Sequence, residues 1–222
     1  MKIVILIPVY NEARAIGTLV EHLKKQSLDV MVINDGSSDR SREIAQEKGA
    51  VVLSNEQRTG KGASLQKGFE YILKQDYDAV VTMDGDGQHA VEDLEEFFKV
   101  ARMNPSSIVT GNRMSNCKTM PKTRYFTNRF MSFLISSVCR QRIPDTQCGY
   151  RYISRDVLKQ LSLRCNDFEI ETEILIQASK KGFRVYSVPI KTIYSDEESY
   201  IRPVRDTIRF MIYFFKELFN GK

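Results

Sequence analysis

Two aspartates two residues apart, Asp84 and Asp86, are followed at the same interval by Gln88 in the stretch MDGDGQH. In an extended segment alternate side chains face the same way. Three oxygen-bearing side chains on one side then predict a seat for a hard divalent cation, Mg²⁺ or Mn²⁺. Gly85 and Gly87 remove bulk, so a diphosphate could come close to the metal. The competing expectation is an Asp-Gly turn whose carboxylates cap the helix near Val91. His89 is a further ligand candidate, although a lone histidine there is more often a loop residue.

Four other polar clusters have chemical content. In NDGSSD, Asp35 can accept a hydrogen bond from a nucleobase N–H or a ribose hydroxyl, while Ser37, Ser38 and Asp39 suit an Asx turn and a helix cap. In PVYNE, which contains Pro8, Tyr10 and Glu12, Tyr10 could pack on a base and Glu12 could hold a ribose hydroxyl. Read otherwise, Glu12 is an acidic residue in a helix's first turn, where the macrodipole favours it. RTGKGAS sets two glycines around Lys61 before a helix, so Lys61 or Arg58 could meet a diphosphate. It does not meet the Walker A pattern. Arg113, Arg124 and Asn128 come next; arginine forks suit phosphate, and Arg124 and Asn128 share a helical face.

These clusters need elements to hold them on one edge. Short β-branched runs at Ile3–Val9, Val30–Asn34, Val51–Leu53, Ala79–Met83 and Ile108–Thr110 predict strands. Between them Glu12–Gln26, Ser41–Lys48, Ala63–Lys74 and Val91–Met103 have helical spacing. This alternation predicts a mostly parallel twisted sheet with helices on both faces. In such sheets ligands sit beyond the carboxyl ends of the strands, where PVYNE, NDGSSD, SNEQRTGKG, MDGDGQH and GNR fall. The opposite edge offers only plain joints such as EKGA and KQDYDA. After Arg113 the spacing predicts a polar loop, a helix over Tyr125–Arg140, a turn-rich IPDTQCGYR, a helix over Phe168–Lys181 and a strand within Phe183–Tyr194. The last helix, over Val204–Phe219, is apolar and aromatic with basic residues along it.

The 222 residues suit one domain, and 42% hydrophobic with 27% charged is ordinary for a globular chain. A net charge of +5 permits contact with anionic lipid or phosphate but is no nucleic-acid footprint. No run reaches the roughly 20 apolar residues of a membrane-spanning helix. MKIVILIPVY runs straight into charged residues and is expected to be a first strand, not a signal peptide. Cys117, Cys139, Cys148 and Cys165 follow no metal-site spacing and are expected to be free thiols.

With PVYNE, NDGSSD, GKG, MDGDGQH, GNR and DTQCGYR in this order, the chain resembles the inverting family 2 glycosyltransferases of the GT-A fold, over nearly its whole length. It looks most like the polyprenyl-phosphate sugar synthases, the dolichyl-phosphate mannose and glucose synthases and their relatives. The resemblance implies an α/β GT-A domain over residues 1–200, and the apolar, basic-flanked tail reads as a C-terminal amphipathic helix over 201–222, set against a membrane surface, the core or a second subunit as in a homodimer. The resemblance also implies metal-dependent transfer of a hexose from UDP-glucose or GDP-mannose to a polyprenyl or dolichyl phosphate. Pro8, Tyr10, Glu12 and Asp35 would bind the nucleoside, with Lys61 and Asp84 completing the nucleotide site. Asp84, Asp86 and Gln88 would bind Mg²⁺ or Mn²⁺. Arg113, Arg124 and Asn128 would hold the acceptor phosphate, so that Asp86, Gln88, Arg113 and Arg124 carry the transfer. The protein would be cytoplasmic and peripheral at the membrane. One departure is Asn34, where many relatives have a second acid. Transfer to a saccharide hydroxyl is the alternative; it wants a base, for which Glu171 or Glu173 is the candidate. A non-catalytic nucleotide-sugar module is the remaining reading.

Overall fold

The computed structural model describes residues 1–117, 120–191, 193, 213 and 214. Its centre is β1 (Ile3–Val9), whose apolar run is buried on both sides. Such a run suits a strand covered by helices on both faces. β1 pairs in parallel with β2 (Asp29–Asn34) and β4 (Ala79–Thr82), and β3 (Val51–Ser54) adds beyond β2. Alternate residues of β1 enter opposite cores. Val4 and Leu6 pack with α3 (Lys61–Leu73), α5 (Lys122–Cys139), α6 (Arg155–Gln160) and α7 (Ile170–Lys180). Ile5, Ile7 and Val9 pack with α1 (Ile16–Lys25), α2 (Ser41–Glu47) and α4 (Leu94–Met103). The predicted α/β sheet with helices on both faces is therefore the observed one.

The far half of the sheet departs from simple alternation. The strand order is β3-β2-β1-β4-β6-β5-β7, with β5 at Ser107–Asn112, β6 at Arg151–Ser154 and β7 at Arg184–Pro189. β6 runs antiparallel to both its neighbours, pairing Thr82 with Arg151 and Thr110 with Arg151. Its reversed direction brings the residues that precede it, Asp145–Tyr150, to the edge where β1, β2, β4 and β5 end. Neither β6 nor α6 is predicted from the sequence. A four-residue strand that opens on an arginine has little apolar signature to read.

Helix ends also move. The residues after Glu12 form turns, and α1 starts only at Ile16, with the Glu12 carbonyl accepting the Ala15 and Ile16 N–H groups. α5 begins at Lys122, behind Pro121, whose fixed φ suits a helix start. Of the expected C-terminal helix, only Tyr213 and Phe214 lie among the described residues; Phe214 is buried against the α3 side of the sheet. No described helix is long and apolar enough to cross a membrane, and all four cysteines are free thiols.

The seat of α3 on β1 is tight at one point. A Cβ on Gly68 would lie 2.5 Å from Leu6 Cδ1. Alanine is favoured over glycine by about 1 kcal/mol in a helix interior, yet Gly68→Ala is expected to destabilise the protein by about 1–3 kcal/mol through overpacking. Urea unfolding of Gly68→Ala, Leu6→Val and the double variant checks this, the double variant being less destabilised than the sum of the two.

Candidate active site

Four charges from four elements meet in a line. Lys61 is the first residue of α3, and its Nζ lies 2.5 Å from Asp84 Oδ1 and 2.9 Å from Glu171 Oε1. Glu171, in the first turn of α7, places Oε2 2.9 Å from Nη1 of Arg151. Arg151 is wholly buried, and its Nε and Nη2 donate to the carbonyls of Cys148 and Thr146 at 2.8 and 2.9 Å. At the other end Asp84 Oδ2 is 3.3 Å from His89 Nε2. The His89 ring packs beside Tyr150, with 4.9 Å between centroids. Burial alone would raise the Asp84 carboxyl, but Lys61 and His89 outweigh it and hold it well below the usual range. Burial would likewise lower Lys61, but Asp84 and Glu171 hold it well above its ordinary value. Gly149 lets the chain lie against this group: a Cβ there would be 2.9 Å from both Asp84 oxygens and from Lys61 Nζ.

The segment after Asp84 is not extended. It turns at Gly85–Asp86, and Gly87 takes φ +70°, so the three side chains do not simply repeat on one side. Asp86 Oδ1 accepts the Gln88 N–H at 3.0 Å, which is the Asp-Gly turn anticipated as the competing reading. The carboxylates do not cap the helical turn at Val91. Asp86 keeps a second oxygen, and burial followed by the neighbouring Asp84 charge pushes its carboxyl up. This is where a cation would be drawn in. The donor chemistry fits a hard ion held by Asp86 and the side-chain oxygen of Gln88, with Asp84 fixed at its edge. Among the described residues no three acidic, histidine or cysteine side chains form a metal cage. An ion here would therefore need ligands from a bound phosphate group, which is common for Mg²⁺.

Asp35 is buried, and its carboxylate organises a loop. Oδ1 accepts from Asn55 Nδ2, the Thr59 N–H and the Thr59 hydroxyl at 2.9, 2.8 and 2.7 Å, while Oδ2 accepts the Gly60 N–H at 2.9 Å. Burial opposes ionisation, but these four donors hold its carboxyl below the usual range. The loop it holds delivers Lys61. Asn34 makes the turn that follows, accepting the Ser37 N–H. Tyr10 lies under the Arg58 guanidinium, 4.0 Å from the ring centroid. The Glu12 N–H donates to Ser41 Oγ at 2.7 Å, and half-buried Pro8 sits within β1 opposite Ile33.

Arg113 is also a buried, paired group. Its Nε and Nη2 grip both oxygens of Asp145 at 2.8 and 2.9 Å, and its N–H donates to the same carboxylate. This pair ties the end of β5 to the loop before β6. Arg124 is exposed near the start of α5. One turn on, Asn128 is buried and its Nδ2 has no hydrogen-bond partner. Glu173 is buried too; its carboxylate accepts the N–H groups of Arg164 and Cys165 at 2.9–3.0 Å. Asp145, Gly149 and Arg151 are site-building residues that sequence reasoning did not single out. The motif DTQCGYR contains all three, but their partners stand 20 to 90 positions away, and no local pattern reveals that.

A model of glycosyl transferase family 2 matches residues 4–162. The chain is 31% identical to the UDP-N-acetylglucosamine–dolichyl-phosphate N-acetylglucosaminyltransferase of Methanococcus voltae, over 96% of this chain and 93% of that one. It is 26% identical to the polyprenol monophosphomannose synthase of Mycolicibacterium smegmatis, over 85% of this chain and 76% of the other. Its fold matches glucosyl-3-phosphoglycerate synthase from Mycobacterium tuberculosis, crystallised with Mn²⁺, UDP and glucosyl-3-phosphoglycerate. The TM-score is 0.74 at 18% identity, covering 99% of this chain and 79% of that one.

Two outcomes test the site's electrostatics. Asp35 binds protons less readily folded than unfolded, so its stabilisation is complete above the unfolded value of 3.8 and is lost as pH falls through the lower folded value. Asp35→Asn is expected to cost about 1–3 kcal/mol near neutrality, with the difference from wild type vanishing in acid; denaturant unfolding across pH measures it. Lys61→Met leaves two carboxylates without their shared partner and is expected to cost about 3–5 kcal/mol, read by the same method.

Proposed function

The chain belongs to glycosyl transferase family 2, and on that footing we propose that it transfers a sugar from a nucleotide sugar to the phosphate of a polyprenyl or dolichyl lipid, inverting the anomeric carbon. The observation that carries the choice of acceptor is the state of the two α7 carboxylates. Glu171 is shared between Lys61 and Arg151, and Glu173 is bound to two backbone amides. Neither is free to take a proton from a sugar hydroxyl. A phosphate acceptor is already an anion at neutral pH and asks for orientation more than for a base.

The acceptor oxygen attacks the anomeric carbon as the bond to the nucleoside diphosphate breaks, and the electron pair leaves with the diphosphate. Arg124 and the unpartnered Nδ2 of Asn128, one turn apart on α5, are suited to orient the incoming phosphate. A buried donor with no partner costs about 1–3 kcal/mol, which a bound anion would offset. The Arg113–Asp145 ion pair fixes the loop before β6, whose Thr146 meets Ser132 of α5. Asp86 and Gln88 would hold a divalent ion, which when bound would neutralise charge growing on the diphosphate. Lys61 keeps Asp84 ionised, two residues before Asp86. Tyr10, Glu12 and the Asp35-held loop line the end of the sheet where the nucleoside would lie. The relatives with dolichyl-phosphate and polyprenol acceptors in their names support the lipid; the sugar and nucleoside are for a donor panel to identify.

The test is turnover of UDP-glucose, GDP-mannose and UDP-N-acetylglucosamine with a short polyprenyl phosphate and Mn²⁺, scored for lipid-linked sugar. Product with a saccharide acceptor alone would overturn the proposal. Glu173→Gln is expected to lower stability by about 1–2 kcal/mol while turnover per folded molecule stays within several-fold. Lost turnover with intact donor binding would instead assign Glu173 the role of base.

A further inference from the structure

The outer face of α5 has no task in the site. Phe126, Phe130 and Phe133 follow one another at four and three residues, and each is largely exposed, at 67%, 58% and 68%. Residues at that spacing form one stripe along a helix. The opposite face holds the buried Asn128, Ser132, Ile135 and Cys139. Large apolar side chains gathered on a surface mark a contact site, whereas single ones need no explanation.

Charge identifies the partner. Lys122 and Arg129 stand exposed along the phenylalanine stripe, and Arg140 and Arg142 follow at the helix end. Residues 122–144 contain five basic residues and no aspartate or glutamate. A two-fold contact between copies would set this basic stripe against itself. An apolar stripe bordered by lysine and arginine fits the boundary between acyl chains and anionic headgroups, with the basic stems reaching outward. We propose that this face of α5 docks the protein on an anionic lipid surface. The inference rests on the lipid-acceptor reading above and supplies its geometry. Ser132, on the inner face, bonds Thr146 beside Asp145, so one helix would join the bilayer to the acceptor region.

The test uses the full chain with vesicles of phosphatidylcholine alone or mixed with phosphatidylglycerol, without donor or acceptor. Wild type is expected to sediment with the anionic vesicles only, less so as salt rises. The triple change Phe126→Ser, Phe130→Ser, Phe133→Ser and the double change Lys122→Glu, Arg129→Glu are each expected to weaken binding by about tenfold or more. Circular dichroism and donor binding confirm that each variant is folded. Turnover of a short, soluble polyprenyl phosphate should be unchanged in the triple variant, while turnover of a long-chain acceptor in vesicles falls. Absence of vesicle binding by wild type, or equal binding by the triple variant, overturns the proposal. So does a triple variant that keeps vesicle binding but loses a dimer in sedimentation, since the face would then join two copies. Vesicle binding that behaves as expected, in a protein that glycosylates no polyprenyl phosphate, would refute the lipid-acceptor reading and leave this surface standing.

Discussion

A line of alternating charge, Arg151 to Glu171 to Lys61 to Asp84, is the constraint on which the site depends. Its members come from β6, α7, α3 and the end of β4. Charges removed from water are costly unless each is paired and hydrogen-bonded. Here Glu171 and Lys61 each touch two partners of opposite sign, and Arg151 also gives hydrogen bonds to two backbone carbonyls of the preceding loop and to that of Glu171. The arrangement exists only when all four elements are in place. It therefore makes the geometry at Asp84 a readout of the whole fold rather than of one loop.

The reversal of β6 is what makes the line geometrically available. A sheet of parallel strands alone would start its sixth strand at the far edge. Antiparallel β6 instead begins at the carboxyl ends of β4 and β5, directly opposite Thr82 and Thr110. The loop before it then carries Asp145 to Arg113 and Gly149 to Asp84. Gly149 fits there because any side chain would collide with the carboxylate. The glycines beside Lys61 have a related duty: a Cβ on Gly60 or Gly62 would strike the Cys165–Asp167 backbone, so that α3 and the loop before α7 lie in contact.

Several charged residues that look like ligand binders turn out to be committed to the protein first. Asp35 gathers four donors from residues 55–60, and Arg113 holds Asp145 with both arms of its fork. Each fixes a loop at the sheet's edge, and such prior fixing is how a site meets a flexible substrate without losing its own order. By contrast Asp86, Arg124 and Asn128 keep atoms available. The polarity of the site is thus divided between groups that hold the frame and groups with hydrogen-bonding capacity left over, a division that shape and partners settle, not residue type.

The parallel half of the fold is legible in the chain's local pattern. Its short β-branched runs and helical spacings mark β1 to β5 and α1 to α4 to within a few residues, because each such element has to bury apolar surface of its own. It also places the polar clusters on one edge, since each follows directly on a strand of the parallel alternation and so lies at a carboxyl end. Tertiary structure alone decided the direction of β6, whose four residues and leading arginine have no periodic signature. It decided equally that Lys61 serves Asp84, that Glu171 and Glu173 are bound rather than free, and that the MDGDGQH segment bends at Gly87 instead of running straight. The physical reason is range. Periodicity reports what a residue does to neighbours within a turn or two, whereas an ion pair between positions 61 and 171 forms only after the sheet has folded the chain back on itself.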